Sequence, residues 1–344
     1  FRIRKKRRKL DRMKNRKLKH NLIRFGIDKL LRTINRTPRV IFYHGVDHVN
    51  QFPSLHIAPD IFEQELKFIS QQYEVICIDE YYQRFQEKKF SNKEVVITFD
   101  DGYKNNLTVA APILQSFNLP FTVFVSAGHI ESGNRFPTFI ARAIITAPML
   151  NNIDIECIKF KSPLLNEQQR TKVFGFISHT LKHSNIELIN EICQQLINNV
   201  SPETYQELCH LHSADAPLNW EEVRILQTKY SCTIGAHCMD HFICNNYQTY
   251  EQTRWQLIES KRLIEERTNK ACHYMAYPNG IVHEGDVSDH ALKAVAEAKY
   301  RLAFTTENDR LLNNNNPYLM PRYAARFEIE DFIIKLALKP KLKF

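Results

Sequence analysis

The sequence predicts an α/β protein with a mostly parallel sheet and helices on its outside. Short apolar runs of strand character alternate with helical patterns over most of the 344 residues, and this alternation is typical of parallel sheets. Several of the runs also end abruptly in polar or Gly-containing segments. Folds of this kind place functional side chains at such strand ends, along the carboxyl edge of the sheet.

Seven strands and seven helices are predicted in alternation. The strands cover residues 39–43, 74–78, 95–100, 121–125, 231–235, 272–276 and 301–305. The helices cover residues 60–71, 79–88, 105–116, 219–229, 249–267, 289–298 and 328–337. Residues 138–218 interrupt this order with helical patterns at 139–149, 167–183, 186–200 and 202–212, and they contain no motif. We interpret them as a helical insertion between the fourth and fifth strands, and as a candidate lid over a substrate groove.

Positive charge is concentrated at the start of the chain. The formal net charge is +9, but residues 1–39 hold 17 Lys/Arg against two Asp, whereas the remainder holds 30 Lys/Arg and 36 Asp/Glu. We therefore divide the chain into a basic tail, residues 1–38, and a mildly acidic body, residues 39–338.

The second half of the tail predicts an amphipathic helix, because Ile23, Ile27, Leu30 and Ile34 recur at helical spacing among basic residues. A basic amphipathic helix is typical of peripheral contact with an anionic membrane. A helix packed on the body behind a solvated arm is the alternative. Nucleic acid is disfavoured, since the tail has no basic platform interleaved with aromatic side chains.

Cysteine usage predicts a reducing compartment. The eight cysteines are scattered, and none forms C-x-x-C. With no recognisable signal peptide, this pattern favours free thiols and a cytoplasmic location, at most peripheral at the inner face of the membrane. No run of about 20 apolar residues is present, so a spanning helix is not expected. The sequence begins at Phe1, which leaves an upstream segment open.

Asp100 and Asp101 end the predicted strand at 95–100 and are followed by Gly102. Two adjacent carboxylates conflict at such a position, because like charges raise one of the two pKa values. A bound cation resolves the conflict if one carboxylate binds it and the other stays free as a base. An ordinary solvated turn is the alternative, since Asp-Asp-Gly is common in turns.

His237 and His241 form an H-x-x-x-H pair that can bind the same cation. On a helical turn these two side chains would lie on one face, and imidazole together with carboxylate suits a divalent transition metal, zinc first. His237 follows a strand-like run, so it should lie at a carboxyl end. His179 and His183 have the same spacing but lie within a predicted surface or packing helix.

Two more segments end predicted strands. His44 follows the strand at 39–43 and either lines the same edge or is a buried, hydrogen-bonded histidine. The segment Tyr277–Gly280 reads Tyr-Pro-Asn-Gly, a turn that could direct a backbone N–H at a developing oxyanion. An ordinary β-turn is the alternative for this segment.

In this order, the three motifs resemble those of polysaccharide deacetylases of the NodB-homology type, carbohydrate esterase family 4. Residues 98–103 are similar to the first motif of that family, residues 237–241 to the second, and residues 277–280 to the third. Cys238 stands where Ser or Thr is usual. Further similar stretches lie at 41–46, 218–223, 301–306 and 319–322, so the resemblance covers about residues 39–326. It implies a distorted (β/α)7-type barrel.

The resemblance also implies roles for individual residues. Asp100 would be the general base, Asp101, His237 and His241 would bind the metal, and the backbone N–H of Asn279 would hold the oxyanion. The residues expected to contact substrate are Tyr103, Tyr277, Pro278, Arg322 and His44.

Three departures from the family pattern leave the mechanism incomplete. The usual Arg of the third motif is missing, since residues 274–276 contain none. The late L-x-H that supplies a catalytic acid has no clear match, and neither has the Asp-containing fourth motif. Arg322 or Arg326 could supply the missing positive charge.

The function expected is a metal-dependent hydrolase, most readily with Zn²⁺, that removes an N-acetyl group from a carbohydrate. The substrate class would be an N-acetyl sugar of a surface polysaccharide, or of a lipid-linked or nucleotide-linked glycan. A non-catalytic glycan-binding module that keeps the fold is the alternative. A glycosyltransferase is disfavoured, because its paired Asp residues usually form D-x-D without an H-x-x-x-H partner.

Overall fold

A computed structural model describes residues 18–34, 37–48, 55–91, 93–307, 316–325 and 328–337. Residues 1–17 of the predicted tail, and Arg326, lie outside these ranges.

The strands are β1 (Arg39–Tyr43), β2 (Gly45–Val46), β3 (His56–Ile57), β4 (Glu74–Val75), β5 (Glu94–Phe99), β6 (Thr122–Val125), β7 (Asn152–Ile155), β8 (Phe160–Pro163), β9 (Thr233–Ala236), β10 (Tyr274–Ala276), β11 (Leu302–Phe304) and β12 (Tyr323–Ala324).

The helices surround this sheet in chain order. The first, α1, is described over residues 18–24. The others are α2 (Ile27–Ile34), α3 (Pro59–Gln72), α4 (Ile78–Glu87), α5 (Ala111–Ser116), α6 (Ala127–Ser132), α7 (Pro137–Thr146), α8 (Glu167–Lys182), α9 (Ile186–Ile197), α10 (Pro202–Leu211), α11 (Trp220–Lys229), α12 (Tyr250–Thr268), α13 (Asp289–Glu297) and α14 (Ile329–Ala337). A π-helical turn, Asn106–Ala110, leads into α5. None of the helices in the described part of the chain combines the length and apolarity needed to cross a membrane.

The main sheet is parallel and follows the order β11-β10-β9-β6-β5-β1-β12, with β4 beside β5. Its central strands β1 and β5 are buried along their whole length, as expected for a parallel sheet covered on both faces. Tyr43 is opposite Phe99, and Val125 is opposite Ala236. This register brings the carboxyl ends of neighbouring strands to one edge.

The segment at 316–325 joins the two ends of the strand path. The N–H of Met320 donates to the carbonyl of Ala303 in β11, at 2.9 Å, and the N–H of Ala325 donates to the carbonyl of Phe42 in β1, at 3.0 Å. The sheet is therefore curled into a half-barrel rather than left flat.

The predicted fold class is confirmed: a curled parallel sheet of seven strands with outer helices. One strand of the prediction differs. The run at 74–78 contributes only the two-residue strand β4, because Ile78 already begins α4. The seventh place in the path belongs instead to β12, which the sequence analysis did not predict because two residues carry no apolar pattern.

Residues 137–211 contain the four helices α7 to α10 and an antiparallel hairpin, β7–β8, that the sequence analysis did not predict. They pack around their own apolar cluster, which includes Ile144, Ile177 and Leu196. Tyr103 and Phe136 belong to the same cluster. The cluster therefore reaches the edge where the strands end.

Candidate active site

Asp100 and Asp101 directly follow β5 and are buried. Asp101 and Gly102 both adopt left-handed backbone conformations, with φ of 73° and 79°. A β-carbon at Gly102 would also lie 3.0 Å from Cγ1 of Val125, so this position favours glycine on two grounds. The Asp-Asp-Gly sequence thus turns the chain sharply at the strand end and holds both carboxylates at the sheet edge.

His237 and His241 approach Asp101 from the end of β9. Oδ1 of Asp101 lies 3.3 Å from Nε2 of His237 and 3.1 Å from Nε2 of His241. Burial raises the pKa of Asp101, but the two histidines outweigh this effect, and the net pKa lies well below its ordinary range. The first two sequence motifs therefore meet, as the strand-end argument expected.

The two histidines do not lie on a helical turn, and that part of the expectation was wrong. β9 ends at Ala236, and the chain then turns through left-handed Cys238, with φ of 62°, and left-handed His241, with φ of 50°. Ser126 stabilises this turn, because its Oγ accepts a 2.8 Å hydrogen bond from the N–H of His241. The turn, rather than a helix face, directs both rings at one point.

The orientation of His237 is fixed by the neighbouring strand. Its Nδ1 lies 2.8 Å from the carbonyl oxygen of Ala276 at the end of β10. A carbonyl can only accept, so Nδ1 donates to it and Nε2 is the ring nitrogen that faces Asp101. Metal-binding histidines are commonly oriented by this kind of second contact.

Asp101, His237 and His241 fit a divalent cation. One donor atom from each lies within 4.8 Å of the others. Within the described residues, buried Oδ1 of Asp101 meets no hydrogen-bond donor in acceptable geometry, although it faces both imidazoles. A buried carboxylate oxygen and two imidazole nitrogens form a donor set that suits zinc.

Asp100 is paired with Arg322 rather than with the histidines. Nη1 of Arg322 donates to Oδ1 of Asp100 at 2.6 Å, and Nη2 donates to Oδ2 at 2.8 Å. Burial raises the pKa of Asp100, but the guanidinium outweighs it, so the net pKa is below its ordinary value. Arg322 supplies the positive charge that the third motif lacks.

The turn at Tyr277–Gly280 follows β10 and is held from two sides. Asn279 and Gly280 are both left-handed, with φ of 61° and 64°. The side-chain amide of Asn279 donates to Oδ2 of Asp286 at 2.7 Å. The backbone carbonyl of Asn279 accepts a 2.6 Å hydrogen bond from Oγ1 of Thr306. Among described residues, no protein acceptor receives the backbone N–H of Asn279. The N–H is therefore available to an oxyanion.

The residues predicted to contact substrate lie in different environments. His44 follows β1 next to Asp100, because Tyr43 and Phe99 are paired in the register. Tyr103 is buried, with its ring edge-on to His56. Tyr277 is fully buried and Pro278 is buried, so the side chain of Tyr277 offers substrate no surface in this conformation, which disagrees with its expected contact. Arg322 is also fully buried and reaches a substrate only through Asp100.

The sequence analysis missed three residues that organise the site. Ser126 follows β6, so the strand-end argument that found Asp100 could also have found it. Gln256 of α12 accepts from the N–H groups of Met239 and Asp240 through Oε1, at 2.9 and 3.1 Å. Nothing in the local sequence marks Gln256 or Asp286.

Comparisons with known proteins agree with this arrangement. Residues 87–303 match the family model described as polysaccharide deacetylase. The poly-beta-1,6-N-acetyl-D-glucosamine N-deacetylase of Staphylococcus aureus is 20% identical over 295 residues, which are 86% of this chain and 76% of that protein. A 95-residue match, 34% identical, to YxkH of Bacillus subtilis covers 26% of this chain and 33% of that relative.

Two solved structures have the same fold. The Streptococcus pyogenes deacetylase PplD, in complex with acetate, superposes with a TM-score of 0.58 at 15% identity, covering 88% of this chain and 99% of that one. IcaB from Ammonifex degensii superposes with a TM-score of 0.57 at 15% identity, covering 88% and 97%.

This curled parallel sheet, with a buried aspartate and an Asp-His-His cluster at its carboxyl edge, belongs to a class of hydrolytic enzymes on the (β/α)7 barrel. Within that class, the chain belongs to the polysaccharide deacetylase family, since the family model covers more than half of it.

Proposed function

We propose that this protein is a metal-dependent hydrolase that removes the acetyl group from an N-acetyl sugar of a surface glycan. The observation that carries the proposal is the assembly of Asp100 beside the Asp101, His237 and His241 cluster at one sheet edge. The β-linked N-acetylglucosamine polymer named for the S. aureus relative supplies the first substrate to test.

Each residue of the site has a separate role in the proposed hydrolysis. Asp100, ionised at neutral pH and held by Arg322, accepts a proton from the attacking water. A divalent cation held by Asp101, His237 and His241 would polarise the acetyl carbonyl and lower the pKa of that water. The N–H of Asn279 donates to the oxyanion that forms at the carbonyl oxygen. Cleavage of the carbon–nitrogen bond then yields acetate and a free amine.

The departing nitrogen needs a proton, and we propose that His44 passes to it the proton that Asp100 accepts from the water. Besides the two metal-binding imidazoles, His44 is the histidine that follows a strand at this edge. Burial lowers the pKa of His44, and nearby Asp101 and Asp100 partly restore it. It therefore interacts with both carboxylates, and its position after β1 opposes Asp100 across the register.

Metal content and acetate release test the function together. Wild type is expected to bind about one divalent ion and to release acetate from N-acetylglucosamine oligomers. His237→Ala should lose the metal. Asp100→Asn should keep the metal and lose about 10²–10⁴-fold in kcat.

His179→Ala is the matched control for the metal, because His179 is exposed on α8 and forms an H-x-x-x-H pair with His183, which directly follows that helix. It should keep both metal and activity. Folded wild-type protein without metal would contradict the proposal. Metal without acetate release from any N-acetyl sugar would favour the glycan-binding module.

The assignment of His44 has its own test. Replacing His44 with Gln should reduce release of acetate from N-acetyl sugars by about 10²–10⁴-fold. Hydrolysis of para-nitrophenyl acetate should change little, because its leaving group needs no proton. His48→Gln is the control, since His48 is exposed four residues away. Equal loss on both substrates would contradict a proton-donor role.

We also propose that the enzyme works in a reducing compartment, at the inner face of a membrane. All eight cysteines are free thiols. Sγ of Cys238 and Sγ of Cys244 lie 3.7 Å apart beside the metal-binding turn, where oxidation would disturb both histidines. Measuring activity and thiol content after incubation with oxidised and reduced glutathione tests this, and full activity after disulfide formation would count against it.

A further inference from the structure

The two N-terminal helices turn large apolar side chains toward solvent. Phe25 is 75% exposed, Leu30 is 60% exposed and Leu18 is 59% exposed, and Ile27 beside them is 36% exposed. We call Leu18, Phe25, Ile27 and Leu30 the apolar face. A surface helix ordinarily packs such residues on the core and leaves its polar side outside, so this orientation needs an explanation.

The side of α2 that contacts the body carries Asp28 and Arg32, with Leu31 half-buried beside them. Asp28 is buried, and Nη2 of Arg32 lies 3.1 Å from Oδ2 of Asp28. The guanidinium of Arg32 also lies over the ring of Phe68 in α3, 4.9 Å from its centroid. Since Leu30 is half a helical turn away from Asp28, docking through Asp28 directs Leu30 outward.

Ionic contacts fix this orientation at the neighbouring helix as well. Lys19 forms an ion pair with Asp331 of α14. Nδ1 of His20 lies 4.0 Å from Oε1 of Glu330 on the same helix, and α2 packs on α14. The apolar face is therefore held outward by contacts on its opposite side.

Positive charge surrounds the apolar face. Arg24 and Lys29 are exposed between its members. The adjoining residues 1–17 contain 11 Lys/Arg and a single acidic residue, Asp11. After residue 39 the balance is reversed, with 36 Asp/Glu against 30 Lys/Arg. The cationic character of the chain is thus concentrated beside the apolar face.

We propose that α1, α2 and Phe25 between them form a docking surface for an anionic lipid bilayer. Phe25 and Leu30 enter the boundary between headgroups and acyl chains, and the basic side chains contact the lipid phosphates. Nucleic acid would satisfy the positive charge but would leave Phe25 and Leu30 in water. A bilayer matches both features, and this inference does not depend on the enzyme's substrate.

Vesicle co-sedimentation of the 344-residue chain tests the proposal without any activity assay. The protein should sediment with vesicles that contain phosphatidylglycerol and remain in solution with pure phosphatidylcholine. Added salt should weaken binding by screening the charges. The double variant Phe25→Ser/Leu30→Ser should bind phosphatidylglycerol vesicles at least about tenfold more weakly, since two large apolar side chains no longer leave water.

Leu165→Ser/Trp255→Ser is the matched control. Leu165 and Trp255 are 69% and 53% exposed, and they lie outside the N-terminal helices. The control should bind vesicles like wild type, and thermal unfolding should show both double variants folded. Arg24→Glu/Lys29→Glu should weaken binding to the anionic vesicles as well.

Three results would overturn the proposal. One is undiminished vesicle binding by Phe25→Ser/Leu30→Ser. This result would show that the basic residues alone adsorb to the vesicles and that the apolar face does not contribute. Another is binding to a single-stranded oligonucleotide in preference to vesicles. The third is no vesicle binding together with self-association that the same double variant abolishes, which would assign the apolar face to a second copy of the chain.

Discussion

Arg322 and Asp100 form a two-bond ion pair inside the half-barrel, 222 positions apart in the chain. Both side chains are buried, and the guanidinium also lies over the rings of Phe42 and Phe124, 4.6 and 5.6 Å from their centroids. The base of the proposed reaction is thus held by the segment that joins the two ends of the sheet. Activity and closure of the half-barrel are therefore coupled through one contact.

Replacing Arg322 with Met should therefore affect both properties. Removing one partner leaves the Asp100 carboxylate buried without its guanidinium, which is expected to cost about 3–5 kcal/mol of unfolding free energy. Acetate release should also fall, since Asp100 loses its fixed orientation. Chemical denaturation and kcat measure the two effects.

A double-mutant cycle provides the control for Arg322. The double variant Asp100→Asn/Arg322→Met contains no buried carboxylate without a counter-charge at this position. It should therefore be more stable than Arg322→Met alone. Additive losses of stability in the double variant would show that the ion pair does not couple the two residues.

Asp286 is expected to position the oxyanion turn. Its Oδ2 accepts from the side-chain amide of Asn279 at 2.7 Å and from the N–H of Ile281 at 2.9 Å. Replacing Asp286 with Ala should displace the N–H of Asn279 and lower kcat about 100-fold with KM and metal content little changed.

Glu284→Gln is the matched control for Asp286. Glu284 and Asp286 both contact Nζ of Lys182, but the turn at Asn279 is held by Asp286. The control should keep its kcat. Equal losses in the two variants would assign the effect to Lys182 and the insertion rather than to the oxyanion turn.

The strand-end argument explains why the meeting of Asp101 with the two histidines could be predicted from sequence. Asp101 and His237 each follow an apolar run, and in parallel sheets the ends of such runs meet at one edge. The pairing of Asp100 with Arg322 could not be predicted in the same way. Arg322 precedes a two-residue strand whose place depends on backbone hydrogen bonds rather than on an apolar pattern.

Two further features of the structure could not be predicted from the spacing of apolar residues. The turn that carries His241 depends on a left-handed Cys238, a conformation that a non-glycine residue adopts only where the surrounding contacts require it. The outward orientation of Leu30 follows from the burial of Asp28 and from the contact of Arg32 with the ring of Phe68. The sequence shows the amphipathic pattern, but the partners of its polar side determine which face is exposed.

Ser126 is expected to control metal affinity without touching the metal. Its Oγ accepts from the N–H of His241 at 2.8 Å and lies 3.2 Å from the carbonyl oxygen of Met239, to which it donates. Replacing Ser126 with Ala should loosen the turn and weaken metal binding about 10–100-fold.

Titration of the apo protein with Zn²⁺ against a competing chelator measures this effect independently of activity. Ser132→Ala is the control, because Ser132 is exposed at the end of α6 and its Oγ donates to the carbonyl of Gly128 instead. Unchanged zinc affinity in Ser126→Ala would show that the turn holds its shape without the hydroxyl.

Asp215 should make stability depend on acid pH. Its carboxylate is buried between His56 and Arg142. Burial raises the pKa of Asp215, but the hydrogen bond from His56 and the charge of Arg142 outweigh it, and the net pKa is below its ordinary value. The ionised carboxylate therefore contributes its full stabilisation above the ordinary Asp pKa, and loses it as the pH falls through the lower value in the folded state.

Replacing Asp215 with Asn should destabilise the protein by about 3–5 kcal/mol at neutral pH, because Arg142 loses a buried counter-charge. The difference in melting temperature between wild type and Asp215→Asn should then shrink as the pH falls below about 4, where Asp215 of the unfolded wild-type chain begins to be protonated, and further as the pH falls through the lower pKa of the folded state. Thermal unfolding of both proteins over a pH series measures this difference.

Asp154→Asn is the control, since Asp154 pairs with Lys161 at the exposed side of the hairpin. A pH-independent difference between wild type and Asp215→Asn would mean that Asp215 acts through shape and hydrogen bonding rather than through its charge.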